Sequence, residues 1–307
     1  MAAGRRRPLA RAPAEGRHDA RNAPPPVDGD LRRRQHLQSQ AGMTVYADLI
    51  RYRELFGNLF RRDVQAKYRG SVLGIAWTLA NPVLLMSVYL LVFSVLWHTQ
   101  FGKEGHYALF LLVGLSAWIF FATSVQAASR SMLDNANLIR KTRFPRQLVP
   151  LSVVATHLLS FVVMLAGLLV LDFALLPRVR ATEWLAIPIA VGVVAIASGL
   201  ALAIASLDVL FRDIEFLVAA LLLPLFFLTP VLYPLTSPDI SKHPWVVKII
   251  HWGNPLAPAI QALRAPLFYG DLPRLADVVY VVVASLVALA VGAWVFMRVD
   301  DQIAVEV

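Results

Sequence analysis

Long apolar runs dominate the chain from residue 75 onward, interrupted by short polar stretches. They fall at 75–97, 108–125, 148–176, 184–207, 216–235 and 275–297. A bilayer core of roughly 30 Å takes about 20 apolar helical residues to cross, so the pattern predicts six transmembrane helices. The third run is overlong, and Pro224, Pro230 and Pro234 are expected to break the fifth. Upstream the spacing changes. Val45, Leu49, Tyr52, Leu55, Phe56, Leu59, Phe60 and Val64 recur on one helical face, with Arg51, Arg53, Arg61, Arg62 and Asp63 off it. That predicts an amphipathic interfacial helix within 43–71. It leads through KYRGS into the first span, where Gly70 and Gly74 permit a bend. Between the last two spans, HWGNPLAPAIQALRAPLFYG is apolar but short and proline-broken. It reads as a re-entrant or outer-leaflet helical pair, tolerated where protein covers its backbone. Residues 1–42 carry RRR twice, PPP once and no apolar period; they read as a disordered extension. Met43 opens the patterned chain and is the expected start, with a six-span domain following over 72–307.

Composition agrees with this all-α, integral membrane class. Of 307 residues, 58% are hydrophobic and 16% charged, against about 25% charged in soluble domains. Length alone suggests two globular domains, and the apolar runs overrule it. Cysteine is absent, which excludes disulfides, thiol catalysis and Cys-based zinc sites. A net charge of +9 raises the question of nucleic acid, but the distribution answers it otherwise. Fifteen Lys/Arg precede the first span and five lie in 126–147, whereas the alternate side of the predicted topology holds seven. The positive-inside rule then places both termini and the 126–147 loop in the cytoplasm, and no nucleic-acid partner is expected.

That loop is unusual. In NANLIRKTRFPRQLVP, residues 135–150, Arg140, Lys141, Arg143 and Arg146 fall within seven residues. Met132, Ala136 and Ile139 form an apolar stripe at helical spacing, while Pro145 ends any helix and biases Phe144 towards extended backbone. Such a helix lies on headgroups or docks in a partner's groove; a solvated positive-inside loop is the plainer reading. Catalytic signatures are missing. Gly102-Lys103 is followed by Glu104 and makes no phosphate-binding loop, and the seven histidines form no ligand cluster. His157, alone in the third span, marks a proton path or bonds a neighbouring helix. Asp172, near the outer end of that span, is expected to reach the interface. Without a ladder of charges across the spans, ion coupling is disfavoured and the driving energy comes from elsewhere.

The order RRDVQAKYRGSVLGIAWTLANP, GLSAWIFF, NANLIRKTRFPRQLVP, LDVLFRDIE, TPVLYPL, GNPLAPAIQALRAPLFYG resembles the permease subunit of type-2 ABC exporters. The resemblance is to the branch exporting lipid-linked polysaccharides: O-antigens, capsules, teichoic acids and wall glycans such as galactan. It covers residues 44 to about 300. It implies a homodimeric, multi-pass permease in the bacterial inner membrane with no cofactor of its own, joined to a separate cytoplasmic ATPase that binds ATP and Mg. By resemblance, Asn137, Ile139, Arg140, Lys141, Phe144 and Pro145 lie at the ATPase contact, with Arg212 and Asp213 at a second one. Arg62, Asp63, Tyr68, Arg69, Gly70 and Ser71 belong to an inner gate. Sugar rings have apolar faces on which aromatics stack, so a threaded glycan implies an aromatic path. The candidates are Tyr89, Phe93, Trp97, Tyr107, Trp118, Phe120, Phe121, Phe226, Phe227 and Tyr233. Arg264 either meets a lipid phosphate on that path or caps nearby carbonyls. The alternative cargo for the same fold is a small drug or lipid.

Overall fold

The computed structural model describes residues 52–71, 74–92, 107–141, 144–175, 181–235 and 242–306. These all fall in one unit, Ala41–Val307. The expected 1–42 extension and residues 43–51 lie outside the described residues. Among those described there is no strand, and the elements are helices throughout.

At the centre stands α3 (Tyr107–Asp134), buried on nearly every side, as a helix apolar all round must be. Around it pack α2 (Trp77–Leu90), α5 (Leu148–Leu175), α6 (Ala186–Leu210) and α7 (Ile214–Leu228). The last helix, α10 (Leu275–Glu306), lies along α6. A Cβ on Gly199 or Gly292 would collide with the backbone of the facing helix. Small residues let helices approach this closely in membranes, where packing rather than water exclusion drives association.

Among the described residues, four helices are long and apolar enough to cross a membrane: 107–134, 148–173, 183–210 and 275–300. The six-span expectation therefore meets four full-length helices and two shorter ones. With 14 and 15 residues, α2 and α7 rise about 21 and 22 Å. Chain beyond α2, from 93 to 106, lies outside the described residues. Pro224 does not break α7 as expected. It forgoes one backbone bond while the helix continues to Leu228. The stop comes from Pro230, which holds Thr229 extended at φ −87° and ψ 132°.

Two short helices cap the end where α10 begins: α8 (Pro244–Gly253) and α9 (Leu256–Arg264), the latter running into a π-turn over Ala265–Tyr269. At about 15 and 14 Å, neither can span. Towards the other end, Met132, Val149, Leu202, Val209, Phe296 and Val299 form a second apolar cluster. The connections carrying the basic residues sit on this cluster, so the molecule has a basic end and a hairpin end.

Candidate functional site

At the basic end, Asn135 breaks the chain between α3 and a six-residue helix, α4 (Ala136–Lys141). Its side-chain amide donates to the Ser131 carbonyl at 2.8 Å, and its own carbonyl accepts from Leu138 and Ile139 at 2.9 and 3.0 Å. The apolar stripe turns inward. Met132 and Ile139 are buried in the second cluster, and Ala136 and Phe144 pack against it. This corrects the outward reading of the stripe: Ile139 anchors α4 to the protein's own core. What α4 presents outward is Asn137, Arg140 and Lys141, all exposed. Pro145 is half-buried and its carbonyl accepts from Leu148, opening α5. Arg146 Nη1 donates to the Asp300 backbone carbonyl at 2.6 Å and to its Oδ1 at 3.0 Å, tying the loop to the end of α10.

The second expected contact reaches the same end. Arg212 and Asp213 are exposed in the turn between α6 and α7. Arg130, near the end of α3, pairs with Glu215 at 3.5 Å, and Asp208 Oδ1 accepts from the Glu215 amide at 2.9 Å. The carboxylate of Asp208 thus satisfies an orphan N–H in the first turn of α7. Phe211 is 62% exposed in that turn, an apolar side chain beside two charges that pattern reading passed over.

The expected gate residues gather along one seam. The amphipathic helix α1 (Arg53–Tyr68) runs beside α5 rather than across its end. Asp63 holds Arg62 at 2.8 Å and accepts from Ser152 Oγ at 3.1 Å. One turn later Lys67 Nζ donates to Ser160 Oγ at 2.9 Å and reaches His157 Nδ1 at 3.4 Å, while Tyr68 and Ser160 hydroxyls meet at 3.3 Å. An ammonium only donates, so His157 presents a lone pair at Nδ1. Of the two readings of His157, the structure therefore supports bonding to a neighbouring helix. Beyond α1, Gly70 adopts φ +76° and Gly74 φ +49°, and Ser71 Oγ accepts from the Gly74 amide at 3.1 Å. Arg69 is exposed at the turn.

The seam encloses a crevice of about 290 Å³ between α1, α2, α3 and α5. Lys67, Tyr68, Asn81, Thr123, His157 and Ser160 are among its polar lining residues. Desolvation between the helices lowers the Lys67 pKa. Among the described residues no carboxylate pairs with this ammonium, because Asp63 is engaged by Arg62 and Ser152. Lys67 and Ser160 were missed, although a signal existed. Ser152, Thr156 and Ser160 recur every four residues in an otherwise apolar run, a polar stripe facing the polar side of α1.

The aromatic path is redrawn. Tyr107, Trp118 and Phe121 are 5%, 8% and 3% exposed and belong to the main core, as does Phe120, stacked on Phe161 at 4.8 Å. Tyr107 donates to the Leu232 carbonyl at 2.7 Å. The rings of α3 pack helices together, and of them Phe120 also borders the crevice beside α1 and α5. Phe226 bridges Trp118 and Tyr89 at 5.3 and 6.2 Å. Outward surface remains on half-buried Tyr89 and Tyr233 and on Phe227, 58% exposed. Phe93 and Trp97 lie outside the described residues. Of the two readings of Arg264, the structure supports the cap on nearby carbonyls. Arg264 is fully buried, its guanidinium 3.5 Å from the Phe110 ring centroid, and it donates to the carbonyls of Phe110, Pro230 and Val231 at 3.3, 2.6 and 2.7 Å. It is a staple. Asp172, expected near the interface, is fully buried.

Similarity to known proteins accords with this layout. Residues 54–268 match the family described as ABC-2 type transporter. The chain is 34% identical over 265 residues to the O-antigen export system permease protein RfbA of Myxococcus xanthus, covering 84% of this chain and 96% of that protein. Two proteins of the same name from Klebsiella pneumoniae are 30% and 32% identical. The first match covers 79% of this chain and 91% of the relative, the second 69% and 79%. With a family match over residues 54–268 and a relative 34% identical across 84% of this chain, the chain belongs to the ABC-2 type transporter family.

Proposed function

We propose that this chain is the membrane permease subunit of an ATP-driven exporter that carries a lipid-linked polysaccharide from the cytoplasmic to the outer face of the bacterial inner membrane. The observation that carries the cargo is the seam between α1 and α5, read with the names of the relatives. There an ammonium lacking a carboxylate partner among the described residues sits with hydroxyls in a crevice along a membrane-spanning helix. A lipid-linked glycan offers both an anionic phosphate and hydroxyl-rich sugars to such a lining. Arg62, Asp63, Tyr68, Gly70 and Ser71 shape this inner gate, and Arg69 flanks it.

The full reading has six spans, with α2 as the first and α7 as the fifth, the α8–α9 pair re-entrant in the outer leaflet, and both termini cytoplasmic. The protomer core around α3 is packed with side chains, which supports a conduit between two copies, faced by Tyr89, Phe227 and Tyr233. Force enters from a separate ATPase that binds ATP and Mg. The exposed face of α4 and the Arg212–Asp213 turn receive it. Ile139 and Phe144 transmit it because they are packed against α6 and α10. A loop held this way moves the bundle with it; a free tether would not.

Depleting the protein in its own bacterium and extracting lipids tests the reading. A lipid-linked glycan is expected to accumulate on the cytoplasmic leaflet. If export of a drug or free lipid fails instead and no glycan builds up, the cargo assignment is wrong.

A further inference from the structure

A second cleft, of about 590 Å³, opens at the hairpin end between α8, the π-turn and the start of α10. Its size falls within the roughly 300–1,000 Å³ of small-molecule sites. Two aromatic side chains border it, Trp252 and Tyr269, 44% and 47% exposed. Each is held from behind. His251 meets the Trp252 ring edge-on at 4.5 Å, and Tyr280 packs beside it at 5.4 Å while its hydroxyl donates to the Trp252 carbonyl at 2.8 Å. His251 is itself fixed by Asp277, Nε2 to Oδ1 at 2.8 Å, with both side chains largely buried. Tyr269 packs edge-on against Phe268 at 4.8 Å. Gly270, at φ +75°, then turns the chain so that Asp271 can bond back to the Ala265 carbonyl at 2.9 Å. Only a residue without a side chain adopts that backbone at no cost.

The polar lining is mixed. Lys248, Arg274 and Asp271 are exposed at it, Asp277 is buried against His251, and Gln261 adds both a donor and an acceptor. Cations, a carboxylate and an amide side by side suit a ligand rich in hydroxyls, which both donate and accept. Rigid aromatic faces beside such groups are what a sugar ring requires: its C–H face lies on the ring while its hydroxyls reach carboxylate and amide. Preformed aromatic platforms lose little freedom on binding. Exposed Trp and Tyr also serve as bilayer anchors, and Trp245 and Ile249 form such a stripe on α8. Trp252 closes that stripe at the edge of a charged cleft, where a lipid tail has no counterpart for the polar lining.

We infer that this cleft binds sugar residues of the exported glycan as it leaves the permease, with Trp252 and Tyr269 as stacking faces and Asp271 as a hydroxyl acceptor. The inference rests on the polysaccharide reading for the identity of its ligand. The test uses the permease–ATPase complex in nanodiscs, titrated by saturation-transfer NMR. The probe is a set of oligosaccharides released by mild acid from the bacterium's own surface polysaccharide. Saturable binding is expected, weakened about tenfold by Trp252→Ala (about 1.4 kcal/mol) and restored in part by Trp252→Phe. Asp271→Asn, exposed and outside the core, is expected to weaken it several-fold without altering folding. Absence of saturable binding to the wild type overturns the inference, as does equal binding by Trp252→Ala and Asp271→Asn. Glycan accumulation on depletion with no binding here leaves the export reading standing and removes this one. Binding here without accumulation removes the export reading and overturns the exported glycan as the ligand, leaving a sugar-binding cleft.

Discussion

Arg264 carries the only fully buried guanidinium among the described residues, and its surroundings explain its cost and its use. Pro230 ends α7, leaving the carbonyls of Pro230 and Val231 without helical partners in an apolar interior. A guanidinium forks to both at once and has a donor left for Phe110; a lysine ammonium lacks that planar geometry. Gly114 supplies the space, since a Cβ there would lie 2.6 Å from Arg264 Nη2 and 3.3 Å from the Val231 backbone. Arg264→Ala is expected to cost about 3–5 kcal/mol, as removal of one partner from a buried polar network does. Gly114→Ala should cost less, about 1–3 kcal/mol. Thermal melts of the detergent-purified protein check both. A wild-type melting temperature for Arg264→Ala would mean that those carbonyls find other donors.

At the scale of elements, α4 separates an anchoring face from an outward charged one. Ile139 faces the cluster formed with α6 and α10, whereas Asn137, Arg140 and Lys141 face outward. An acidic substitution at Ile139 therefore disturbs packing before it reports on a partner. Reversing the outer charges is the cleaner probe. The double variant Arg140→Glu, Lys141→Glu is expected to stay within about 0.5 kcal/mol of the wild type in stability. It should lose most of its co-purifying ATPase and its export. Undiminished co-purification would remove α4 from the coupling surface. The α1–α5 seam shows the same division, with Asp63 and Ser152 fastening the helices and Lys67 left without a carboxylate partner among the described residues.

For the whole molecule, the two ends differ in kind: basic connections at one, the α8–α9 pair and its cleft at the other. The proposed docking of a cytoplasmic ATPase on α4 requires the basic end to be cytoplasmic. The natural chain has no cysteine, so single cysteines can be introduced directly. Asn137→Cys is expected to react with a membrane-impermeant maleimide only in inverted vesicles. Leu272→Cys, at a residue 72% exposed, should react in intact spheroplasts. The opposite pattern would put α4 out of reach of any cytoplasmic ATPase.

Much of this architecture was legible in residue order. Apolar runs of the right length marked the long helices, Pro145 and Pro230 marked their interruptions, and the density of Arg and Lys marked one end. What the order could not assign was which apolar surface meets what. Lipid, a packed interior and the wall of a conduit all accept Leu, Phe and Trp, so hydrophobicity does not distinguish Trp118, buried in the core, from Phe227, exposed. The same ambiguity hid the inward turn of Ile139 and the burial of Arg264, whose three partners lie 33 to 154 residues away in the chain. Lys67 meets Ser160 across 93 residues, and Trp252 acquires its cleft only where α10 begins beside α8. Sequence by itself determined the membrane class, the long helices and the basic end; tertiary structure decided which side chains are staples, which are surfaces and which stand together as a site, because those roles depend on neighbours that local periodicity does not encode.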